Sequence, residues 1–278
     1  MAANGNVGPH NNQPAELNMG ITAMYNVRTI RSLLLAGIFG LTGLLAGCGG
    51  GGAGGTTTTG GTTGGTTTPT ASITGTAATG APLPAGTVLT VKDATNRTVS
   101  TTGNTVGANG VFNLVVSNPA DYTAPFIIRA DPSATTSGDE LYSILIGSMA
   151  ANGAYRVNIT SVTSLVLFEV TKKSLATVFS APQTHLPGLT ANLIDQASSN
   201  VVTQFPALNI ANQDFIGQTF AADGSDAYDK ALDQIGIATI EFFGDVPTLK
   251  DATGAAIPYD SATPLYPVAS LTVTAGVS

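Results

Sequence analysis

The stretch Gly107-Ala108-Asn109-Gly110-Val111-Phe112-Asn113-Leu114-Val115-Val116 carries the clearest fold signal in the chain. Asn-Gly is the dipeptide most typical of a tight β-hairpin turn. After it, Phe112, Leu114 and Val116 recur at every second position, which places them on one face of a strand. This stretch therefore predicts a hairpin whose second strand has one buried face.

Similar short segments surround this hairpin and are separated by turns rich in Gly, Pro and Asn. Short strands at such spacing are typical of an antiparallel sandwich. The sequence predicts a mainly β domain over residues 70–160. Its other predicted strands are residues 71–75, 87–92, 126–130 and 141–146, with a turn at 93–96.

The order of these motifs resembles the carboxypeptidase regulatory-like domain, which has a transthyretin-like sandwich. The resemblance is carried by Ile73-x-Gly75, Pro84-x-Gly86-x-Val88, Asn109-Gly110-x-Phe112-x-Leu114 and Pro125-x-Ile127-x-x-Ala130. The family often has Asp-x-x-Gly before its aromatic strand, where this chain has Gly107-Ala108-Asn109-Gly110. The resemblance implies a structural or binding module without an active site.

From residue 161 to residue 278 the pattern favours a small helical unit with a C-terminal extended segment. Apolar positions at helical spacing predict one helix over 162–179, capped by Thr160 or by Thr163-Ser164 and ended by Pro182. Two further helices are predicted at 189–205 and 227–240, the latter capped by Ser225 or Asp226. Residues 251–254 and 271–274 are predicted as a turn and an extended piece of a closing hairpin.

The segment Met24 to Cys48 has a basic head, an uncharged apolar run and a small-residue end, the order of a secretory signal. Leu45-Ala46-Gly47-Cys48 resembles the lipobox of bacterial lipoproteins. The resemblance implies cleavage between Gly47 and Cys48 and attachment of diacylglycerol and a further acyl chain, such as palmitate, to Cys48. Residues 24–47 are thus the expected signal peptide. Residues 1–23 are expected to be a start-site overcall, with Met24 or Met19 as the true start, or a disordered extension.

Residues 48–69 form the expected anchor and linker, nearly all Gly and Thr beyond Cys48. Such a segment buries too little to offset its ordering entropy, so disorder is expected, with a reach on the order of 25 Å. No Asp follows Cys48 at the next position, Gly49, or at Gly50. In the lipoprotein pattern this implies the outer membrane of a double-membraned bacterium.

The amino-acid composition argues against several classes of function, among them nucleic-acid binding, thiol chemistry and zinc peptidase activity. Charged residues make up 10% of the chain, and the net charge of −7 comes without any basic stripe, so nucleic acid is not expected as a partner. The single cysteine, Cys48, leaves no disulfide or thiol chemistry for the folded part. His185 is the only histidine after Cys48, too few for a zinc peptidase site. No cofactor is expected.

Three groups of residues are candidate sites. Asp223, Asp226 and Asp229 could bind Ca²⁺, but acids at a helix N-terminus explain them better. His185 lacks a recognisable nucleophile motif, and the pairs Asp139-Glu140 and Asp121-Tyr122 do not define a glycosidase pair. We therefore expect a lipid-anchored exported protein without catalytic residues, with a role either in envelope structure or in binding, where the partner would be an envelope protein or polysaccharide. The alternative is a divergent hydrolase of envelope polymers.

Overall fold

The computed structural model describes residues 68–132 and 139–261. The predicted extension at 1–23, signal peptide at 24–47, lipidation site Cys48 and nearly all of the linker lie outside the described residues. The same holds for the extended piece predicted at 271–274.

The strands in chain order are β1 Thr70–Ala78, β2 Val88–Asp93, β3 Thr101–Thr102, β4 Val111–Ser117, β5 Phe126–Asp131, β6 Leu141–Leu145, β7 Ala154–Arg156, β8 Ile159–Thr160, β9 Thr239–Phe243, β10 Val246–Lys250 and β11 Ala256–Ile257.

The described residues also form five helices and three short 3-10 turns. The helices are α1 Ser161–Thr171, α2 Leu175–Ser180, α3 Pro182–His185, α4 Ala191–Gln204 and α5 Ala227–Ile235. The 3-10 turns are Ala108–Gly110, Pro119–Asp121 and Pro206–Leu208. The described chain is thus mainly β, with three sheets and a few helices.

The first sheet is built around β1, which pairs antiparallel with β4; β4 in turn pairs with β3. The predicted Asn-Gly turn precedes β4: Asn109 and Gly110 both have positive φ, and the Val111 N–H donates to the Ala108 carbonyl. Phe112, Leu114 and Val116 are all buried, so the predicted inward face of β4 is confirmed.

The same sheet corrects the prediction of a wholly antiparallel arrangement. Both β7 and β8 pair with β1 in parallel. Parallel neighbours need a long connection, and here all of β2 to β6 lies between them. The chain beyond β7 passes so close to β1 that position 75 requires glycine, because a Cβ there would be 2.0 Å from the Val157 carbonyl oxygen.

The second sheet has the order β2–β5–β6, and its central strand β5 is buried on both faces. Phe126 and Ile128 belong to one hydrophobic cluster, which they share with Ile73 and Leu114 of the first sheet. Ile127, between them in sequence, belongs to a second cluster formed with the helices. Alternate residues of one strand thus enter two cores, an arrangement compatible with a β-sandwich covered by helices on one side.

Helix α1 forms the centre of the second cluster and is buried over most of its circumference. Thr160 caps it: its hydroxyl accepts from the Thr163 N–H at 3.1 Å, and the Thr163 hydroxyl accepts from the Thr160 N–H at 2.8 Å. This reciprocal pair confirms the Thr160 alternative for the cap. The Ser164 hydroxyl accepts from the Tyr142 N–H at 2.9 Å, which joins α1 to β6.

The prediction of one helix over 162–179 was wrong. Helix α1 ends before Lys172, which has a left-handed φ of 50°, and Ser174 caps the separate helix α2. Pro182 begins α3 instead of ending a helix. Proline is well suited to the first helical position because its missing N–H is not needed there.

The other helices are shorter than predicted. Helix α4 begins after its cap Thr190 and ends one residue before Phe205. Helix α5 starts after Asp226, as predicted, but ends before Gly236, whose φ of 68° suits glycine. Ile240 therefore lies in β9, not in the predicted helix. Strands β9, β10 and β11 form the third, antiparallel sheet.

Candidate functional site

A half-open groove separates β6 and α2 from β9. Its volume is about 380 Å³, within the range of small-ligand sites. The lining residues are Glu140, Tyr142, Leu175, Ala176, Ile240, Glu241 and Phe242. They come from three parts of the chain that only the tertiary fold brings together.

Two aromatic rings and two carboxylates give this groove its chemistry. Tyr142 packs edge-on against Phe179 at 6.0 Å between ring centroids, and Phe242 lies 5.7 Å from Phe168. These neighbours hold both rings in place. Burial, reinforced by the charge of Glu140, raises the pKa of the Tyr142 hydroxyl further above its ordinary value.

The carboxylate of Glu241 is held at the edge of the groove by an ion pair. Its oxygens lie 2.6 Å and 2.7 Å from Lys250 Nζ on the neighbouring strand β10. The Glu241 side chain remains about half exposed, which leaves it accessible to a ligand. The groove can therefore accept a ligand that has both an apolar face, to stack on the aromatic rings, and hydrogen-bond donors, to reach the carboxylates.

The three aspartates considered as a calcium site surround the start of α5, where each carboxylate binds the backbone. Asp226 accepts from the Asp229 and Ala221 N–H groups at 2.9 and 2.7 Å, and Asp223 accepts from the Ser225 N–H at 2.9 Å. One oxygen of buried Asp229 accepts from the Gly224 N–H. Within residues 68–132 and 139–261, no three His, Cys, Asp or Glu side chains form a group that could hold a metal.

Asp229 differs from its neighbours in two respects. It is 1% exposed, and its Oδ1 has no hydrogen-bond partner among the described residues. Burial raises the pKa of this carboxyl, and the negative charges of Asp233, Asp226 and Asp223 raise it further. These features describe a helix start with one poorly solvated acid, and the weak calcium hypothesis stays a prediction.

His185 ends α3 and lies near Asp245, in the turn between β9 and β10. The Asp245 carboxylate accepts from Lys173 Nζ at 2.7 Å and from the Ser174 N–H at 3.0 Å, and these hydrogen bonds lower its pKa. The Ser174 hydroxyl is 2.7 Å from the Thr177 hydroxyl. A triad requires the histidine to be hydrogen-bonded to the nucleophile, whereas Ser174 caps a helix here.

The two adjacent pairs noted in the sequence have different surroundings in the fold. Glu140 lines the groove, whereas Asp139 is not among the residues that line it. Asp121 and Tyr122 lie at the 3-10 turn Pro119–Asp121 and contact Arg97: the Asp121 carbonyl accepts from the guanidinium, and the Tyr122 ring lies 5.2 Å from it. This second pair therefore has a structural role.

A further buried acid, Glu169 on α1, was missed by sequence reasoning. It accepts from Lys172 Nζ at 2.8 Å and from the Tyr259 hydroxyl, and Asn200 Nδ2 lies 3.5 Å away. Burial, together with the hydrogen bond and charge of Glu169, raises the pKa of Tyr259. This cluster ties residues near 259 to α1 and α4.

Comparison with known proteins adds no assignment: no protein-family profile and no curated protein matches this chain. Among the helices of the described residues, none has the length and apolar content needed to cross a bilayer. Cys48 and Gly47, the predicted lipidation and cleavage residues, lie outside the described residues.

Proposed function

We propose that this chain is a lipid-anchored exported protein whose folded part has a non-enzymatic binding role at the cell envelope. The observation that carries the anchor is Leu45-Ala46-Gly47-Cys48 at the end of a basic and apolar segment. Two or more acyl chains on Cys48 would hold the protein stably at a membrane. Since residues 49 and 50 are both Gly and not Asp, we propose the outer membrane as its location.

The groove beside β9 is the proposed binding site. The rings of Tyr142 and Phe242 favour a flat apolar face, and the carboxylates of Glu140 and Glu241 favour amine or hydroxyl donors. A lysine side chain and an amino sugar share this chemistry. An envelope protein or an envelope polysaccharide could each supply it, and the experiment must distinguish these sources.

We also propose that residues 70–160 form a transthyretin-like sandwich. The shared cluster between the first and second sheets supports this proposal. So do the antiparallel pairs β1–β4 and β2–β5. The parallel pairing of β7 and β8 with β1 is a departure from a wholly antiparallel sandwich.

The anchor is tested by radiolabelled palmitate incorporation and fractionation of the wild type against Cys48→Ala. We expect label and membrane association in the wild type, and neither in the variant. Mass spectrometry of the cell-derived protein then identifies the N-terminal residue. An unmodified thiol at residue 48 with the upstream segment still attached would reject the anchor.

The groove is tested by calorimetric titration with a lysine-containing peptide and, separately, with a glucosamine oligosaccharide. Glu241→Gln should weaken binding of whichever probe binds, whereas Asp195→Asn, an exposed acid on α4, should not. An equal loss of binding in both variants would show that general charge is responsible, and unchanged binding by Glu241→Gln would reject the groove as the site.

A hydrolase acting on envelope polymers is the second candidate, because two carboxylates line one groove. The Glu241 carboxylate is already engaged by Lys250 Nζ at 2.6 Å, which argues against its acting as a free general base. Release of soluble fragments from peptidoglycan by the wild type, and its loss in Glu140→Gln, would establish the enzyme.

A further inference from the structure

The turn between β9 and β10 carries an apolar pair that the fold does not bury. Phe243 is 90% exposed and Val246 is 58% exposed, and the two residues are direct cross-strand partners beside the turn Gly244-Asp245. We call this pair the hairpin tip. Ile240 and Leu249, farther along the same two strands, are buried.

The charges at the hairpin tip are neutralised locally. Asp245 is the acid of the turn, and its carboxylate is 2.7 Å from Lys173 Nζ. His185 also lies near Asp245. An unpaired carboxylate beside Phe243 would oppose approach to an anionic surface, and this ion pair reduces that opposition because it neutralises the charge.

A polar band lies directly behind the tip on the same face of the sheet. Glu241 is two residues from Phe243, about 7 Å along the strand, and pairs with Lys250. Thr248 lies opposite Glu241 and is exposed. The apolar part is therefore only one residue pair deep, which matches the headgroup and upper acyl region of a bilayer.

We infer that the hairpin tip docks on a lipid surface, with Phe243 and Val246 entering the interfacial layer. This inference rests on the proposed lipid anchor. Residues 49–69 connect Cys48 to β1 and, fully extended, could span at most about 75 Å. Any surface of the folded part can thus reach the membrane to which it is tethered.

The tether also explains how so small a contact could suffice. One Phe and one Val bury too little area to hold a free protein on a membrane. Attachment through Cys48 makes docking intramolecular, so it proceeds at an effective concentration that can reach the order of mM. Weak docking then restricts the orientation of the folded part.

The absence of tryptophan from the sequence allows a sharp test. The full lipidated chain carrying Phe243→Trp is reconstituted into phosphatidylcholine vesicles, with and without phosphatidylglycerol, and quenching by acyl-brominated phosphatidylcholine is recorded. The matched control is Val111→Trp, since Val111 is 55% exposed beside a turn of another sheet. We expect quenching of the indole at position 243 and little quenching of the indole at position 111.

A second pair of variants measures the contribution of the ring. With Val246→Trp as reporter, adding Phe243→Ser should lower the docked-to-free ratio about tenfold, the effect of losing one partly buried aromatic side chain. Equal quenching at positions 243 and 111, or none at either, would overturn the docking. Shielding of the indole at position 243 that depends on protein concentration without lipid would assign the tip to a second copy instead.

Mass spectrometry of the same samples separates the two proposals. If Cys48 carries lipid and the indole at position 243 stays in water, the docking inference fails and the anchor stands. If Cys48 is unmodified, the anchor fails and the docking inference falls with it.

Discussion

Two aspartates, Asp93 and Asp229, are equally buried and yet their pKa values are shifted in opposite directions. Asp93, at the end of β2, is 0% exposed, and Asp229, in the first turn of α5, is 1% exposed. Burial raises the pKa of both carboxyls. In Asp93, hydrogen bonds from Thr95, Arg97 and Thr123 outweigh burial and lower the pKa to about 2, whereas the pKa of Asp229 stays raised.

The difference lies in the partners. The Asp93 carboxylate accepts six hydrogen bonds from Thr95, Arg97 and Thr123. One oxygen of Asp229 accepts from the Gly224 N–H, the other has no partner among the described residues, and further carboxylates lie nearby. Whether a buried acid stabilises or destabilises the fold therefore depends on its hydrogen-bond partners and on nearby charges, and not on the extent of its burial alone.

The largest expected effect is that of Asp93→Ala. It leaves the donors of the 94–97 turn and the Thr123 N–H without an acceptor, so we expect a loss of about 3 kcal/mol in the free energy of unfolding. Urea denaturation measures it. Asp93→Asn, which keeps one oxygen and the shape, should lose less. A loss below about 0.5 kcal/mol for Asp93→Ala would contradict the role assigned to this carboxylate.

Arg97→Ala should have an intermediate effect. The guanidinium donates to Asp93 through Nε at 3.0 Å and Nη2 at 2.8 Å, but half of this side chain is exposed. We expect a loss of about 1.5 kcal/mol in the free energy of unfolding at neutral pH. In the Asp93→Ala background the same substitution should cost much less, and an additive result would show that the pair does not act together.

Asp229→Asn should act in the opposite direction. The amide replaces a carboxyl whose charged form is disfavoured by burial and keeps an oxygen for the Gly224 N–H, so we expect a gain of about 1 kcal/mol in the free energy of unfolding at neutral pH. Asp195→Asn controls for the change in net charge and should leave stability nearly unchanged. A destabilised Asp229→Asn would show that the charge is needed, as a bound cation would require.

The pH dependence of the two acids should also differ in sign. The stability that Asp93 contributes is present above the unfolded pKa of 3.8 and is lost as the pH falls towards about 2. Asp229, whose folded pKa is raised, costs nothing below its unfolded pKa and destabilises as the pH rises through its folded pKa. Unfolding midpoints of Asp93→Asn and Asp229→Asn against the wild type, from acidic to neutral pH, should therefore diverge in opposite directions.

The smallest effect is expected for Asp233→Asn. The charge of Asp233 is the largest of the nearby charges that raise the pKa of Asp229. Its removal should lower that pKa and change the free energy of unfolding by less than about 0.5 kcal/mol. A carboxyl ¹³C titration of Asp229 measures the pKa directly, and an unchanged value would show that the charge of Asp233 does not contribute to it.

Local patterns in the sequence predicted β1, β2, β4, β5 and β6 because the causes of these strands are local, whereas β3 and the strands from β7 to β11 were not predicted. The alternation around Leu114 and the turn at Asn109-Gly110 depend only on neighbouring residues. The break at Lys172 was missed although Ser174 offered a cap, and Gly236 was a stop signal that the apolar spacing up to Ile240 concealed. The groove could not be predicted, because its lining residues from β6, α2 and β9 meet only through tertiary packing.

Because both faces of β5 are buried, in two different clusters, the register of this strand is strongly constrained during folding. A slip of one residue would exchange the occupants of the two clusters, sending Ile127 between the sheets and Phe126 towards α1. Arg129, whose guanidinium lies 4.7 Å from the Phe179 ring, would then enter the space between the sheets. Burying an unpaired charge there would be unfavourable, so this arginine disfavours a pairing of β5 that is shifted by one residue.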